Sequence, residues 1–286
     1  MSIRLIPLMD PDYRPLSRRI AWLAADSDGN PVGSAFLRLN SRQEQAHLAE
    51  LELNVHPAER RRGIGTLLLD AVVSAAREHE VEALVADVNV DTDGDRFLEH
   101  HGFSIGLTLI YARLELTDAI ADVPDVPGYR LVSWEGVVPD ELVETFTAAR
   151  TGMDDAPSGD LDLGPDVWDV ERTRYAAHVI EQRGELLSVV TAVDSSGTIV
   201  GFTEVVVPGD GKGDGQHYGT AVLPGHRGRG LALWMKAEQI RRTRQRFPDL
   251  EGLLTDTVDT NAGMRRTNDR LGYRPQYRVN RRKLDL

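Results

Sequence analysis

The chain has 286 residues, 41% of them hydrophobic and 27% charged, enough for one large domain or two of ordinary size. Its 33 basic residues against 45 acidic ones give a net charge of −12, which excludes a general basic face for nucleic acid and favours cationic ligands. The absence of cysteine excludes disulfides, thiolate-bound metal and cysteine nucleophiles together, and no metal is expected.

No apolar stretch reaches the length of a membrane span, and the opening segment MSIRLIPLMD is a poor signal peptide, so a cytoplasmic protein without a membrane partner is expected. From the N-terminus, residues 20–39 read as two apolar β-type runs around the turn SDGN, a hairpin. A further β-like run ends in LNVHPAERRRGIG (53–65) and enters an amphipathic helix carrying Ile64, Leu67, Leu68, Ala71, Val72 and Ala75. VDTD (90–93) and the pair Gly102-Phe103 follow. The segment DAIADVPDVPG (118–128) reads as a linker.

The same order then returns. A hairpin occupies 186–207 around SSGT, with Gly29 and Gly33 answered by Gly197 and Gly201 at an offset of 168. AVLPGHRGRGLA (221–232) answers the first proline–arginine–glycine loop, and the following helix carries Leu233, Ala237 and Ile240. VDTN (258–261) answers VDTD, and Gly272-Tyr273 answers Gly102-Phe103. Five landmarks in one order mean two homologous modules, expected over 1–119 and 128–286. They differ in their leading regions: 28 residues precede Gly29 in the first, whereas Gly128 to Gly197 spans 197 − 128 = 69 positions in the second. The extra segment includes 151–169, with six aspartates, Met153 and Trp168, read as an acidic, partly aromatic lid for an ammonium acceptor or as a solvated loop.

Each loop has the chemistry of an anion cradle. Small residues let the backbone approach closely, the following helix contributes about half a positive charge at its N-terminus, and the arginines add charge-assisted contacts to phosphate. The residues concerned are Arg60, Arg61, Arg62, Gly63, Ile64, Gly65 and Thr66 in the first copy, and Arg227, Gly228, Arg229, Gly230, Leu231 and Ala232 in the second.

This duplicated Arg-x-x-Gly-x-Gly/Ala turn between strand and helix resembles the GCN5-related N-acetyltransferase family, GNAT, in a tandem arrangement. The resemblance implies an α/β fold of two GNAT-type modules, each a mixed, mostly antiparallel sheet flanked by helices. It also implies acetyl-CoA as co-substrate and a small-molecule amine as acceptor. The pyrophosphate would sit on the two loops. Backbone amides near Val55 and at Ala221, Val222 and Leu223 would hold the thioester carbonyl and pantetheine. The family's leading region walls the acceptor site, so the shortened first module is expected to be non-catalytic and the second to carry the chemistry, in a monomer or homodimer. The family's tyrosine four residues before the Gly-Phe pair is Asn268 in the second copy and Leu98 in the first. Asn268 and Asn261 are therefore expected to touch the cofactor, Asn261 otherwise capping its helix. For the base, Glu204 stands out inside the apolar strand FTEVVV, with His217 and Tyr218 as further candidates. A non-catalytic acyl-CoA sensor, another acyl donor and an alcohol acceptor are the alternatives.

Overall fold

The computed structural model describes residues 3–9, 17–40, 46–117, 122–161 and 167–286. Linker residues 118–121 and two of the six aspartates, Asp162 and Asp166, lie outside the described residues. The first copy runs β1 (Arg4–Met9), β2 (Ser17–Ala25), β3 (Pro31–Asn40), β4 (Leu48–Val55), α1 (Ile64–Glu78), β5 (Ala83–Asn89), α2 (Asp93–His100) and β6 (Ser104–Glu115). The second runs β7 (Tyr129–Glu135), α3 (Val143–Ala149), α4 (Val170–Gln182), β8 (Glu185–Asp194), β9 (Ile199–Pro208), β10 (Gly213–Val222), α5 (Leu231–Arg246), β11 (Leu250–Val258), α6 (Ala262–Arg270) and β12 (Arg274–Asp285). The fold is α/β, a mostly antiparallel mixed sheet with flanking helices, built twice.

The repeat holds at the level of single hydrogen bonds. In the first hairpin the Asp26 carboxylate accepts the backbone N–H groups of Asp28 and Asn30, and in the second Asp194 accepts those of Ser196 and Thr198. An aspartate that folds its side chain onto the next few amides fixes a tight turn. Gly33 and Gly201 also share a reason: a Cβ at either would lie 2.9 Å from a neighbouring-strand carbonyl, that of Asn54 or Ala221. Only glycine lets the hairpin come that close beneath the helix that follows the loop. Ile64, Leu68, Leu69, Val72 and Ala76 form the buried face of α1, packed with Ala35, Leu37, Ala49 and Leu51.

The chain divides into two compact units that do not follow the linear division at the linker. One holds Met1–Thr108, Ser158–Gly164 and Arg278–Leu286, the other Leu109–Pro157 and Pro165–Tyr277. In the first unit the strands lie in the order β1-β2-β3-β4-β5-β12, in the second β6-β11-β10-β9-β8-β7. The copies have thus exchanged their last strands. β5 is completed by β12, with Val279 opposite Asn89 and Asp285 opposite Ala83. β11 is completed by β6, with Leu109 opposite Val258 and Glu115 opposite Gly252.

A buried network fastens the incoming strand in the first unit. Asp95, at the start of α2, accepts from Arg282 Nε at 2.6 Å and from Asn280 Nδ2 at 3.1 Å, while Arg282 Nη1 donates to the Phe103 carbonyl. Burial pushes the Asp95 carboxyl up, but the bonds from Arg282, Asn280 and the Asp91 amide outweigh it and hold the group below the usual carboxylate range.

Each unit has an opening of the same kind. β4 and β5 are parallel neighbours only from Leu48–Ala83 to Glu50–Val85, and β10 and β11 only from Gly213–Leu250 to Gln216–Leu254. Beyond those pairs β4 and β10 run on to Val55 and Val222 without a parallel partner, so alternate amides of 51–55 and 217–222 face a wedge rather than a strand. In β10 the irregularity between His217 and Thr220 bends the strand there. The units differ in what stands between first and second strands. β1 and β2 are joined by 10–16, outside the described residues, whereas β7 and β8 are joined by 136–184 with α3, a 3-10 turn over Arg150–Met153, and α4. No helix among the described residues is long and apolar enough to cross a membrane.

Candidate active site

The two anion loops are built alike. Each follows a 3-10 turn, Pro57–Glu59 or Pro224–His226, and each has a glycine with positive φ at the helix N-cap, Gly63 at 80° and Gly230 at 87°. A side chain there would strain the backbone, and glycine adopts it freely. The first helical bonds are Leu67 N to Gly63 O and Trp234 N to Gly230 O, which leaves the amides of Ile64, Gly65 and Thr66, and of Leu231, Ala232 and Leu233, without helical acceptors. In both copies the arginine that opens the motif donates its Nε to the carbonyl that ends the strand: Arg60 to Val55 at 3.3 Å, Arg227 to Val222 at 2.8 Å.

What reaches the outer face of that arginine differs. Arg60 is exposed, and its loop opens into a cavity of about 1860 Å³ lined by β4 from Leu48 to Val55, by β5 from Val85 to Asn89, by most of α2, and by Arg19, Phe36 and Arg38 of β2 and β3. Arg60, Arg61, Gly63, Ile64, Gly65, Thr66 and Val55 all border it; Arg62 instead pairs with Glu59 at 2.6 Å. Glu59 and Asp93, paired with Arg62 and Arg96, border it as well, and Glu50, Glu52 and Asp87 bring carboxylates to the walls. Two are neutralised, Glu50 by Arg38 at 2.6 Å and Asp87 by both ends of Arg281 at 2.7 Å. Glu52 has no ion pair among the described residues and accepts a hydrogen bond from the Asn54 side chain at 3.4 Å. His101 also borders the cavity, with Nε2 3.1 Å from the Thr66 hydroxyl and Nδ1 2.8 Å from the Phe97 carbonyl.

In the second unit the guanidinium of Arg227 is held by the Asp155 carboxylate, with one contact at 2.7 Å, and by the Gly152 carbonyl at 3.1 Å. Gly152 itself lies on the end of β10: a Cβ there would be 3.2 Å from the Ala221 side chain and 3.4 Å from the Val222 carbonyl. Ala221 and Val222 are buried, while Leu223, Gly228, Arg229, Gly230 and Ala232 are not.

The three candidate bases are not brought together. Glu204 is buried against Arg150 at 2.5 Å, whose guanidinium lies over the rings of Trp168, Phe146 and Phe202 at 4.1, 4.8 and 5.3 Å. Burial raises its carboxyl above the usual range while the guanidinium opposes that shift. His217 sits in the core between Thr203 Oγ1 at 2.8 Å and the Tyr273 hydroxyl at 2.7 Å. Burial, helped by the charge of Lys236, drives its pKa well below the ordinary histidine value and keeps the ring neutral. Tyr218 points outward, its hydroxyl accepting from Arg183 at 3.0 Å. Asn268 donates to Thr257 at 3.0 Å inside the core, and Asn261 caps α6 by accepting the Met264 amide.

Lys236, which sequence reasoning passed over, is 1% exposed, with its ammonium 5.1 Å from the centre of the Tyr273 ring. Burial brings its pKa down to about 7. The folded state then binds fewer protons than the unfolded chain between pH 7 and about 10, so stability must rise with pH across that window, by at most about 1.4 kcal/mol for each pH unit. Urea unfolding midpoints measured from pH 6 to 10 should climb in the wild type and stay flat in Lys236→Met, with the variant the more stable at pH 6.

With this geometry in hand, the family model for acetyltransferases of the GNAT family matches the chain twice, over 5–103 and 155–273. The chain belongs to the GNAT family. Among solved structures it resembles a tandem GNAT protein from the clavulanic acid biosynthesis pathway, at 21% identity over 99% of this chain and 98% of that one, with a TM-score of 0.76. A GCN5-related N-acetyltransferase from Sphaerobacter thermophilus follows at 19% identity over 93% and 80%, TM-score 0.71. One from Kribbella flavida matches at 17% identity over 88% and 87%, TM-score 0.57. At these identities the likeness carries the fold, and GNAT membership carries acyl-CoA-dependent acetyl transfer as the class of chemistry.

Proposed function

We propose that this GNAT protein moves the acetyl group of acetyl-CoA to the amine of a small cationic acceptor, and that the transfer takes place in the cleft of the first unit. The second copy, expected from the sequence to be the working one, would then be the closed partner. The observation that carries this reading is the contrast between the two motif arginines. Arg60 faces the open cavity of about 1860 Å³, whereas Arg227 is engaged by Asp155 and Gly152.

The residues of the first cleft fit acetyl-CoA. The amides of Ile64 to Thr66 and the charges of Arg60 and Arg61 suit a diphosphate, and the unpaired edge of β4 beyond Glu50 offers amides to a pantetheine and a thioester oxygen. Acetyl-CoA supplies an activated acyl group. The acceptor nitrogen, once deprotonated, bonds to the carbonyl carbon as the C–S bond breaks and the thiol leaves. Glu52 is our assignment for the group that draws in the ammonium and takes its proton, because it is the cleft carboxylate without an ion pair among the described residues. A thiol, with an ordinary pKa of about 8.5, leaves into a water-filled cleft without a dedicated acid, which is compatible with Leu98 at the tyrosine position.

A thiol-release assay over a panel of amines tests the assignment. Glu52→Gln should lower kcat by about 100-fold, the low end for a general base, and leave the KM for acetyl-CoA unchanged. Full activity in Glu52→Gln would remove the carboxylate from the mechanism. Coenzyme A binding without turnover of any amine would favour the sensor reading, for which Leu98 is the specific argument.

A further inference from the structure

Residues 150–155 touch β9, the end of β10 and the second anion loop in turn. At one end Arg150 is inserted into a pocket made by the Glu204 carboxylate and the faces of Trp168, Phe146 and Phe202. Three aromatic faces and one buried carboxylate are what a protein uses to hold an organic cation. In the middle Gly152 has no side chain, and its backbone rests on Ala221 and Val222, at the end of the strand that borders the wedge. At the other end Asp155 offers two oxygens to Arg227 beside the free amides of the anion loop. Cation, backbone and anion thus follow one another within six residues, in the order acceptor, acyl arm and diphosphate. The segment belongs to the insertion between β7 and β8, for which the described residues of the first copy hold no counterpart.

We propose that residues 150–155 form an intramolecular plug that occupies the second acyl-CoA cleft as a mimic of both ligands, so that this cleft binds acyl-CoA only when Asp155 is displaced from Arg227. The two ends of the plug are unequal. Arg150 and Glu204 are each 9% exposed at the side chain and form the fixed end. Asp155 and Arg227 are 54% and 40% exposed, so water already reaches this ion pair and it is worth at most about 1 kcal/mol. A diphosphate, with more charge and with loop amides to bond, displaces a single carboxylate there. The plug is therefore a competitor rather than a permanent wall, anchored by a cation and released at an anion.

The test is calorimetric titration of coenzyme A, without an acyl group and hence without turnover, into the full chain. To silence the first loop it carries Arg60→Glu with Gly63→Asp. Adding Asp155→Ala should tighten binding to the remaining loop severalfold, up to the roughly fivefold that releasing an ion pair of about 1 kcal/mol allows, and Asp155→Lys, which repels Arg227, should tighten it too. The Arg150–Glu204 anchor is untouched in both variants, so the unit keeps its buried pair. Unchanged or weaker coenzyme A affinity in both variants would overturn the plug. The reading rests on GNAT membership and not on which copy is catalytic, since a failure of the first-cleft assignment shows itself separately, as unaltered turnover in Arg60→Glu with Gly63→Asp.

Discussion

Arg60→Glu combined with Gly63→Asp should cut acetyl transfer by a factor of about 10²–10⁴, and the matching pair Arg227→Glu with Gly230→Asp should leave the rate within about threefold. Hydrogen bonds to charged groups contribute about 1.5–3 kcal/mol each. Replacing two favourable contacts to a diphosphate by two carboxylates removes roughly 3–6 kcal/mol, a loss of 10²–10⁴ in kcat/KM at about 1.4 kcal/mol per decade. Arg60 is exposed and a Cβ at Gly63 meets nothing within 4 Å, so the cost of these substitutions to the fold is the backbone strain at residue 63. Aspartate is among the residues that best accept the left-handed conformation of that position, φ 80°. Initial rates of thiol release over a range of acetyl-CoA concentrations measure the effect. The reverse outcome, with the Arg227 pair inactive and the Arg60 pair active, would move the chemistry to the second unit.

The second large effect concerns the strand exchange. Arg282 is 5% exposed at its side chain and Asp95 9%, so Arg282→Ala leaves a buried carboxylate with only neutral donors. Breaking one partner out of a buried pair costs about 3–5 kcal/mol, a large share of the 5–15 kcal/mol that holds a typical domain. The lost contact ties the C-terminal strand to α2, and Arg281, the next residue on that strand, lines the cleft. Arg282→Ala should therefore lower the calorimetric midpoint by about 10 °C or more and weaken coenzyme A binding at the first loop, although residue 282 is remote in sequence from residues 53–66. Because Asp95 titrates below its ordinary value when folded, its contribution is complete above the unfolded pKa of about 3.9 and is lost as pH falls through the lower folded value. Asp95→Asn should accordingly flatten the acid limb of the stability curve below pH 4 and leave the neutral region lower.

The duplication was legible because it is written in local chemistry. Asp26 and Asp194 fold the same turn, Gly33 and Gly201 admit the same close approach, and Gly63 and Gly230 supply the same left-handed cap. Each of these needs only near neighbours in the chain. The exchange of β6 and β12 was not legible, since strand pairing joins residues far apart in the chain and nothing local says which parallel pair either strand completes. The same limit hid the contact of Asp155 with Arg227, 72 residues away, and the cage around Arg150. Glu204 illustrates the boundary between the two cases. A carboxylate in FTEVVV requires a compensating group, and the sequence shows that requirement, but the identity of Arg150 as the compensating group depends on tertiary structure. His217 read as a possible base because histidine titrates near neutrality; burial between Thr203 and Tyr273 removes that property.

A crystal of the full chain soaked with acetyl-CoA asks the central question in one step. The proposed reading requires the cofactor between β4 and β5, its diphosphate against the amides of Ile64 to Thr66 and its thioester within reach of Glu52, whether Asp155 stays on Arg227 or has given way to a second molecule. Cofactor found only along β10, with Asp155 swung away and the first wedge vacant, would contradict it.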